Sequence, residues 1–169
     1  NRMMSAQEAD WVATSAAENP ALFRKLLAYS YSNDKKLAFR ASWILTKICD
    51  RNPSVIYPHL PDIVNKLDKI DNESVLRSFL RILSLTDPAV INPKQHGLLA
   101  EICFGKLSSG FSAIAIKAYS MEILYKLTLL YPELANELSA TLRVLLEDAS
   151  GGIAARGHQI MKKLAEMPI

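Results

Sequence analysis

Lys36, Arg40, Lys47 and Arg51 follow one another at intervals of four, seven and four residues. An α-helix turns about 100° per residue, so these intervals bring all four side chains into one narrow sector. Arg77 and Arg81 repeat the four-residue interval further along. Ammonium and guanidinium groups gathered in this way attract carboxylates or phosphates, which makes the six residues the candidate binding surface. The same pattern is also that of a solvated helix face, the common fate of surface cations. Phe39 and Trp43 lie beside the cations on the same helix. They read either as an aromatic platform for a nucleobase or a partner's side chain, or as packing against the helices that precede them. The packing reading is favoured, because two large exposed aromatics lower solubility.

No other pattern offers a reaction centre. His59, His96 and His158 are scattered, without the paired spacing that puts two metal ligands on one helix face. Cys49 and Cys103 sit inside apolar helical patterns with no CxxC, as buried small hydrophobes in a reducing compartment do. Ser108-Ser-Gly110 and Ser150-Gly-Gly152 are short connectors rather than phosphate-cradling loops, and there is no Gly-x-Ser-x-Gly elbow. No enzyme activity, metal or cofactor is therefore expected.

The elements that must hold these residues are helices throughout. Helical periodicity fills nearly the whole chain, and no strict alternation competes with it, so the fold class is all-α. Nine helices are predicted, at 5–18, 20–31, 34–51, 57–69, 72–86, 93–107, 112–130, 132–147 and 151–166. Ser5-Ala-Gln-Glu8 announces the first with a hydroxyl and a carboxylate placed to satisfy free N–H groups reciprocally. Half of the 169 residues are hydrophobic and 22% are charged, which excludes disorder and suits one packed domain. The net charge of +3 is too small to argue for nucleic acid by itself. The longest apolar stretch, 114–130, is interrupted by Lys117, Glu122 and Lys126, which argues against a membrane span.

The punctuation repeats. Asn19-Pro20, Tyr57-Pro58, Asn92-Pro93 and Tyr131-Pro132 recur at 38, 35 and 39 residues (20 to 58, 58 to 93, 93 to 132). Proline suits a first helical turn, where its missing N–H is not needed. A second echo, Ile44-Leu-Thr-Lys-Ile48, Ile82-Leu-Ser-Leu85, Ile123-Leu-Tyr-Lys-Leu127 and Ile160-Met-Lys-Lys-Leu164, recurs at 38, 41 and 37 (44 to 82, 82 to 123, 123 to 160). A helical hairpin of about 40 residues cannot bury its apolar face alone and must stack on its neighbours. The pattern resembles the HEAT and armadillo class, and is most similar to HEAT at the turn within the repeat, where that family has an Asp followed six positions later by an Arg. Asp34 to Arg40 and Asp71 to Arg77 keep the pair, while Phe111 to Lys117 and Ser150 to Arg156 keep the basic member. Aligning instead on Ile-Leu sets Ser78 and Tyr119 opposite Arg40.

The resemblance implies a single domain over 1–169: an α-α superhelix with an N-terminal helix at 5–18 and antiparallel helix pairs at 20–51, 57–86, 93–130 and 132–166. It implies a right-handed stack whose curved face binds another protein, with an acidic segment as the expected partner of the cations, in a cytoplasmic monomer. The alternative is a nucleic-acid-binding protein. Some bacterial glycosylases that remove alkylated bases use HEAT-like arrays, with tryptophans and an acidic residue on a basic concave surface. This chain offers Trp11 and Trp43 but no matching Asp, since Asp50 stands beside a helix end. Arg40 and Arg77 are otherwise expected to be tied to their turn aspartates.

The expected core includes Ile44, Ile48, Phe79, Leu83, Ile123, Leu127, Ile160 and Leu164, with Leu37, Ala41 and Leu45 on the same stripe as Ile44. Helix 112–130 is apolar nearly all round and should be covered on several sides. The last helix carries Arg156, Gln159, Lys162, Lys163 and Glu166 off its apolar stripe, so the array is expected to end there.

Overall fold

A computed structural model describes residues 3–149 and 151–168. Among these the chain is all-α, in nine helices with short 3-10 turns and no strand. It forms two compact units, Asn1–Ile82 and Leu83–Ile169, whose boundary falls inside one helix.

The first unit holds α1 (Ala6–Ala17), α2 (Pro20–Ser30), α3 (Lys35–Arg51), α4 (Leu60–Lys66) and most of α5 (Glu73–Leu85). Side chains set the helix starts, because the first N–H groups of a helix have no partner within it. Ser5 Oγ accepts from the Glu8 N–H at 3.1 Å while Glu8 Oε2 accepts from the Ser5 N–H at 2.7 Å, closing the expected capping box. Asn19 caps α2 through the N–H groups of Ala21 and Leu22, with Pro20 in the first turn. Asp34 does the same for α3, accepting from Lys36 and Leu37 at 2.9 and 3.1 Å. Asn72 Oδ1 caps α5 through Ser74 and Val75, and Asn72 Nδ2 donates to the Lys35 carbonyl at 3.3 Å.

The predicted helix at 57–69 is the one that differs. A 3-10 run over Pro53–His59 precedes α4, and another over Leu67–Lys69 follows it. Pro53, Pro58 and Pro61 crowd this segment, and each ring lacks a donor and collides with the carbonyl four residues back. An α-helix forms only from Leu60, where Pro61 falls in its first turn. The marker prolines Pro93 and Pro132 likewise precede their helices by a short turn rather than opening them.

The second unit holds the end of α5, then α6 (His96–Ser108), α7 (Ile114–Leu130), α8 (Leu134–Glu147) and α9 (Gly151–Ala165). Ser150 lies outside the described residues. Gly151 takes a φ of 55°, a left-handed turn that a side chain would strain. A Cβ on Gly157 would stand 2.8 Å from Leu146, so α8 and α9 meet closely there. His96 is buried and tethers the turn before α6: its Nε2 donates to the carbonyls of Pro88 and Ile91, which leaves Nδ1 to accept from the Tyr131 hydroxyl at 2.8 Å. Lys126 donates to the Ser84 and Thr86 carbonyls, finishing the C-terminal turn of α5.

Ile44, Ile48, Phe79, Leu83, Ile123, Leu127 and Ile160 are buried as the periodicity predicts. Leu164 is only half-buried, in the last turn of the last helix beside the exposed Ala165 and Glu166. Leu37, at the first turn of α3, is exposed. Helix α7 was expected to be covered on several sides; its buried residues Ile116, Lys117, Ser120, Met121, Ile123, Leu124, Leu127 and Thr128 instead share one sector of about 160°, and Ala118, Tyr119, Glu122, Tyr125 and Lys126 on the other side are half-buried.

Candidate binding surface

Helix α1 packs on α3, and this seam organises the predicted basic stripe. Lys47 Nζ donates to Asp10 Oδ1 at 2.9 Å, and Arg51 Nη2 approaches the same oxygen at 3.5 Å. Arg51 Nη1 also donates to the Asp10 carbonyl at 3.0 Å and to the Thr14 hydroxyl. The Lys47 hydrogen bond holds the Asp10 carboxyl below its usual range. On the other side, Arg81 of α5 grips Asp50 through two hydrogen bonds, of 2.8 and 3.2 Å. A planar guanidinium facing a carboxylate in this fork is the most directional of ion pairs.

The stripe therefore divides. Lys47, Arg51 and Arg81 are engaged with carboxylates of neighbouring helices, while Lys36 and Arg77 are exposed and make no ion pair among the described residues. Asp34 uses its oxygen to cap α3. No ion pair joins Asp71 to Arg77 among the described residues, so the expected turn pair does not form there. Arg40 is half-buried and lines a groove of about 550 Å³ with Met3, Met4, Gln7, Glu8, Trp11 and Val12.

The expectation that Phe39 packs inside is corrected: it is 40% exposed, and its ring lies nearly parallel to that of Trp43, 6.4 Å between centroids. Trp43 is half-buried, with Lys47 Nζ 5.3 Å from its ring centre. The near-parallel Trp43 ring is an aromatic neighbour that partly offsets the cost of an exposed phenyl. The residues that sequence reasoning missed are Asp10, Thr14 and the groove around Trp11, which is 72% exposed. A signal existed. Asp10 to Lys47 and Thr14 to Arg51 each span 37 residues, one repeat length, so α1 meets α3 in the register of a preceding repeat.

The other candidates for chemistry are structural. Burial pushes the thiols of Cys49 and Cys103 up to about 12. His59 stacks against Phe23 at 5.1 Å, and burial lowers its basicity. His158 Nδ1 bonds the Ala154 carbonyl of its own helix. Among the described residues no group of three or more His, Cys, Asp or Glu is placed to hold a metal, and no helix is long and apolar enough to cross a membrane.

Helical hairpins capped at their turns, recurring at one period and joined by ion pairs one repeat apart, define a helical-repeat protein. The comparison with family models gives the same answer: the HEAT repeat domain model matches residues 1–164, and the chain belongs to that family, whose architecture is the α-α solenoid. Neither the comparison with curated proteins nor that with solved structures returns a match.

Proposed function

We propose that the chain is a non-catalytic protein-interaction module whose α1–α3–α5 face receives an acidic segment of a partner. HEAT repeat domains are commonly such modules. The observation that carries the reading is the composition of this face. Trp11 and Phe39 are exposed, as are Lys36, one turn before Phe39 on α3, and Arg77 on α5, while Lys47, Arg51 and Arg81 already have carboxylate partners. Exposed aromatics amid cations are what a partner buries at the centre of an interface. The ion pairs fix the helices and so pre-organise that face. A nucleic acid would instead need those cations for its phosphates, at the expense of the pairs they now make.

Photo-crosslinking tests this reading. A photoreactive amino acid placed at Phe39 should capture a defined partner from the source cell, and Lys36→Glu with Arg77→Glu should abolish the crosslink. Capture of nucleic acid instead of protein, or a crosslink indifferent to both charge reversals, would refute it.

A further inference from the structure

We propose that a pocket between the α2–α3 and α4–α5 turns binds a phosphate monoester, recognised by Lys35, Lys66 and Lys69. The site uses neither Lys36 nor Arg77, so it does not rest on the acidic-segment reading above. The pocket measures about 390 Å³ and lies within the first unit, where the turn before α3 meets the turn before α5. That is the small end of the range for ligand sites, enough for a phosphate and the few atoms that carry it. Its two sides are tied together, because Asn72 Nδ2 donates to the Lys35 carbonyl at 3.3 Å.

The charged wall consists of three ammonium groups and one carboxylate, Asp71, a surplus of two positive charges (three minus one). Lys35, Lys69 and Asp71 are exposed and make no ion pair among the described residues. Lys66 is held at 2.9 Å by Asp62, which stands outside the wall. Among the neighbouring carboxylates, Asp34 is turned onto the N–H groups of Lys36 and Leu37, and the exposed Asp68 and Glu73 do not line the pocket. Donors remain as well. Ser32 Oγ accepts from the Asp34 N–H at 3.1 Å and keeps its own proton to give, and Asn33 brings an amide. Tyr31 belongs to the same wall, and its hydroxyl is buried without a hydrogen-bond partner. Such a hydroxyl is costly in a folded chain and gains from a bound acceptor.

A phosphate monoester brings nearly two negative charges and three acceptor oxygens, whereas a carboxylate brings a single charge and fewer acceptors. The monoester is therefore the better match to a wall of three lysines with a surplus of two charges. The Tyr31 ring is already engaged, by Phe79 at 5.6 Å between centroids and by Lys66 Nζ at 4.7 Å, so charge and hydrogen bonds rather than base stacking do the recognising.

Amide NMR of the full chain tests the site, with four probes: phosphoserine blocked at both ends, blocked glutamate, inorganic phosphate, and the peptide Ala-Ala-phosphoserine-Ala-Ala. Blocked phosphoserine should move the signals of residues 30–35 and 66–72. Lys35→Gln with Lys69→Gln should weaken its binding by about fivefold or more at low salt, while Lys36→Gln with Arg77→Gln should leave it unchanged. The spectra themselves report that each variant keeps its fold. Inorganic phosphate binding as tightly as the peptide supports the site with a free phosphate compound as its ligand. A peptide tighter than inorganic phosphate by about tenfold supports it with a phosphorylated partner chain as the source. Blocked glutamate binding as tightly as blocked phosphoserine, shifts that survive Lys35→Gln/Lys69→Gln, or no shift with about 10 mM of any probe overturns the proposal. Each of these leaves standing the interaction reading, which the crosslink at Phe39 tests separately.

Discussion

Asp10 carries more of the first unit's architecture than its half-buried position suggests, because Lys47 and Arg51 both reach it from α3. Asp10→Asn keeps the shape but removes the charge that both cations face. It should lower the melting temperature at low salt, and the loss should shrink as salt screens the repulsion left between Lys47 and Arg51. Equal loss at all ionic strengths would show that packing, rather than charge, holds the seam. The thiols give a second outcome. With Cys49 and Cys103 buried and pushed up to about 12, a disulfide reagent at pH 8 should react only as fast as the protein opens, and all at once in denaturant. For His59, burial and the nearby Arg24 lower the pKa below the ordinary 6.5. The unfolded chain therefore binds more protons in that interval. Its contribution to stability is complete above about pH 6.5 and is lost as pH falls through the lowered value. Denaturant midpoints taken from pH 5 to 7.5 should rise with pH, and His59→Gln should flatten that rise. The buried state of both cysteines was legible from their apolar surroundings. The role of Asp10 was not, since it depends on which residue of α3 stands opposite, a register that no single helix pattern contains.

At the scale of elements, Leu83 is the sharpest test of the helical phase. It is 2% exposed on α5, so Leu83→Ala removes buried methyl groups from a site with little room to relax. The expected cost is about 2 to 5 kcal/mol in denaturant titration, and a loss below about 1 kcal/mol would mean that the side chain is not in a packed core. Periodicity located eight of the helices to within about three residues because buried faces recur every three or four positions, the strongest signal a sequence offers. The segment at 57–69 escaped for a physical reason. Its apolar spacing is helical, but Pro53, Pro58 and Pro61 withhold donors from the turns that such spacing requires. Replacing Pro58 by Ala should therefore extend α4 toward its N-terminus, read as slower amide exchange over residues 57–60. Unchanged exchange would locate the break in the tertiary packing of Ile56 and Leu60 instead.

For the molecule as a whole, the repeat period was legible from two independent markers, and the family followed from it. The binding face was only half legible, because a stripe of cations looks the same whether its charges are free or already answered from a neighbouring helix. This difference can be measured on duplex DNA. If all six stripe residues held phosphates, the log–log salt slope would be about −5.4, and affinity would fall more than about a thousandfold between 50 and 200 mM salt. Of the six stripe residues, Lys36 and Arg77 are the ones exposed without an ion pair among the described residues, and two contacts give a slope of about −1.8 and a fall of about twelvefold. A chain of net charge +3 supplies little long-range attraction to add to this. Arbitrary duplex DNA should thus bind weakly, with the shallow slope, and Lys36→Glu/Arg77→Glu should remove what binding there is. That pair is the informative choice, because Lys47→Glu/Arg51→Glu would set two carboxylates against Asp10 and disturb the seam itself. A steep slope with micromolar affinity would mean that the ion pairs to Asp10 and Asp50 open to admit phosphates, and the face would then be a nucleic-acid surface.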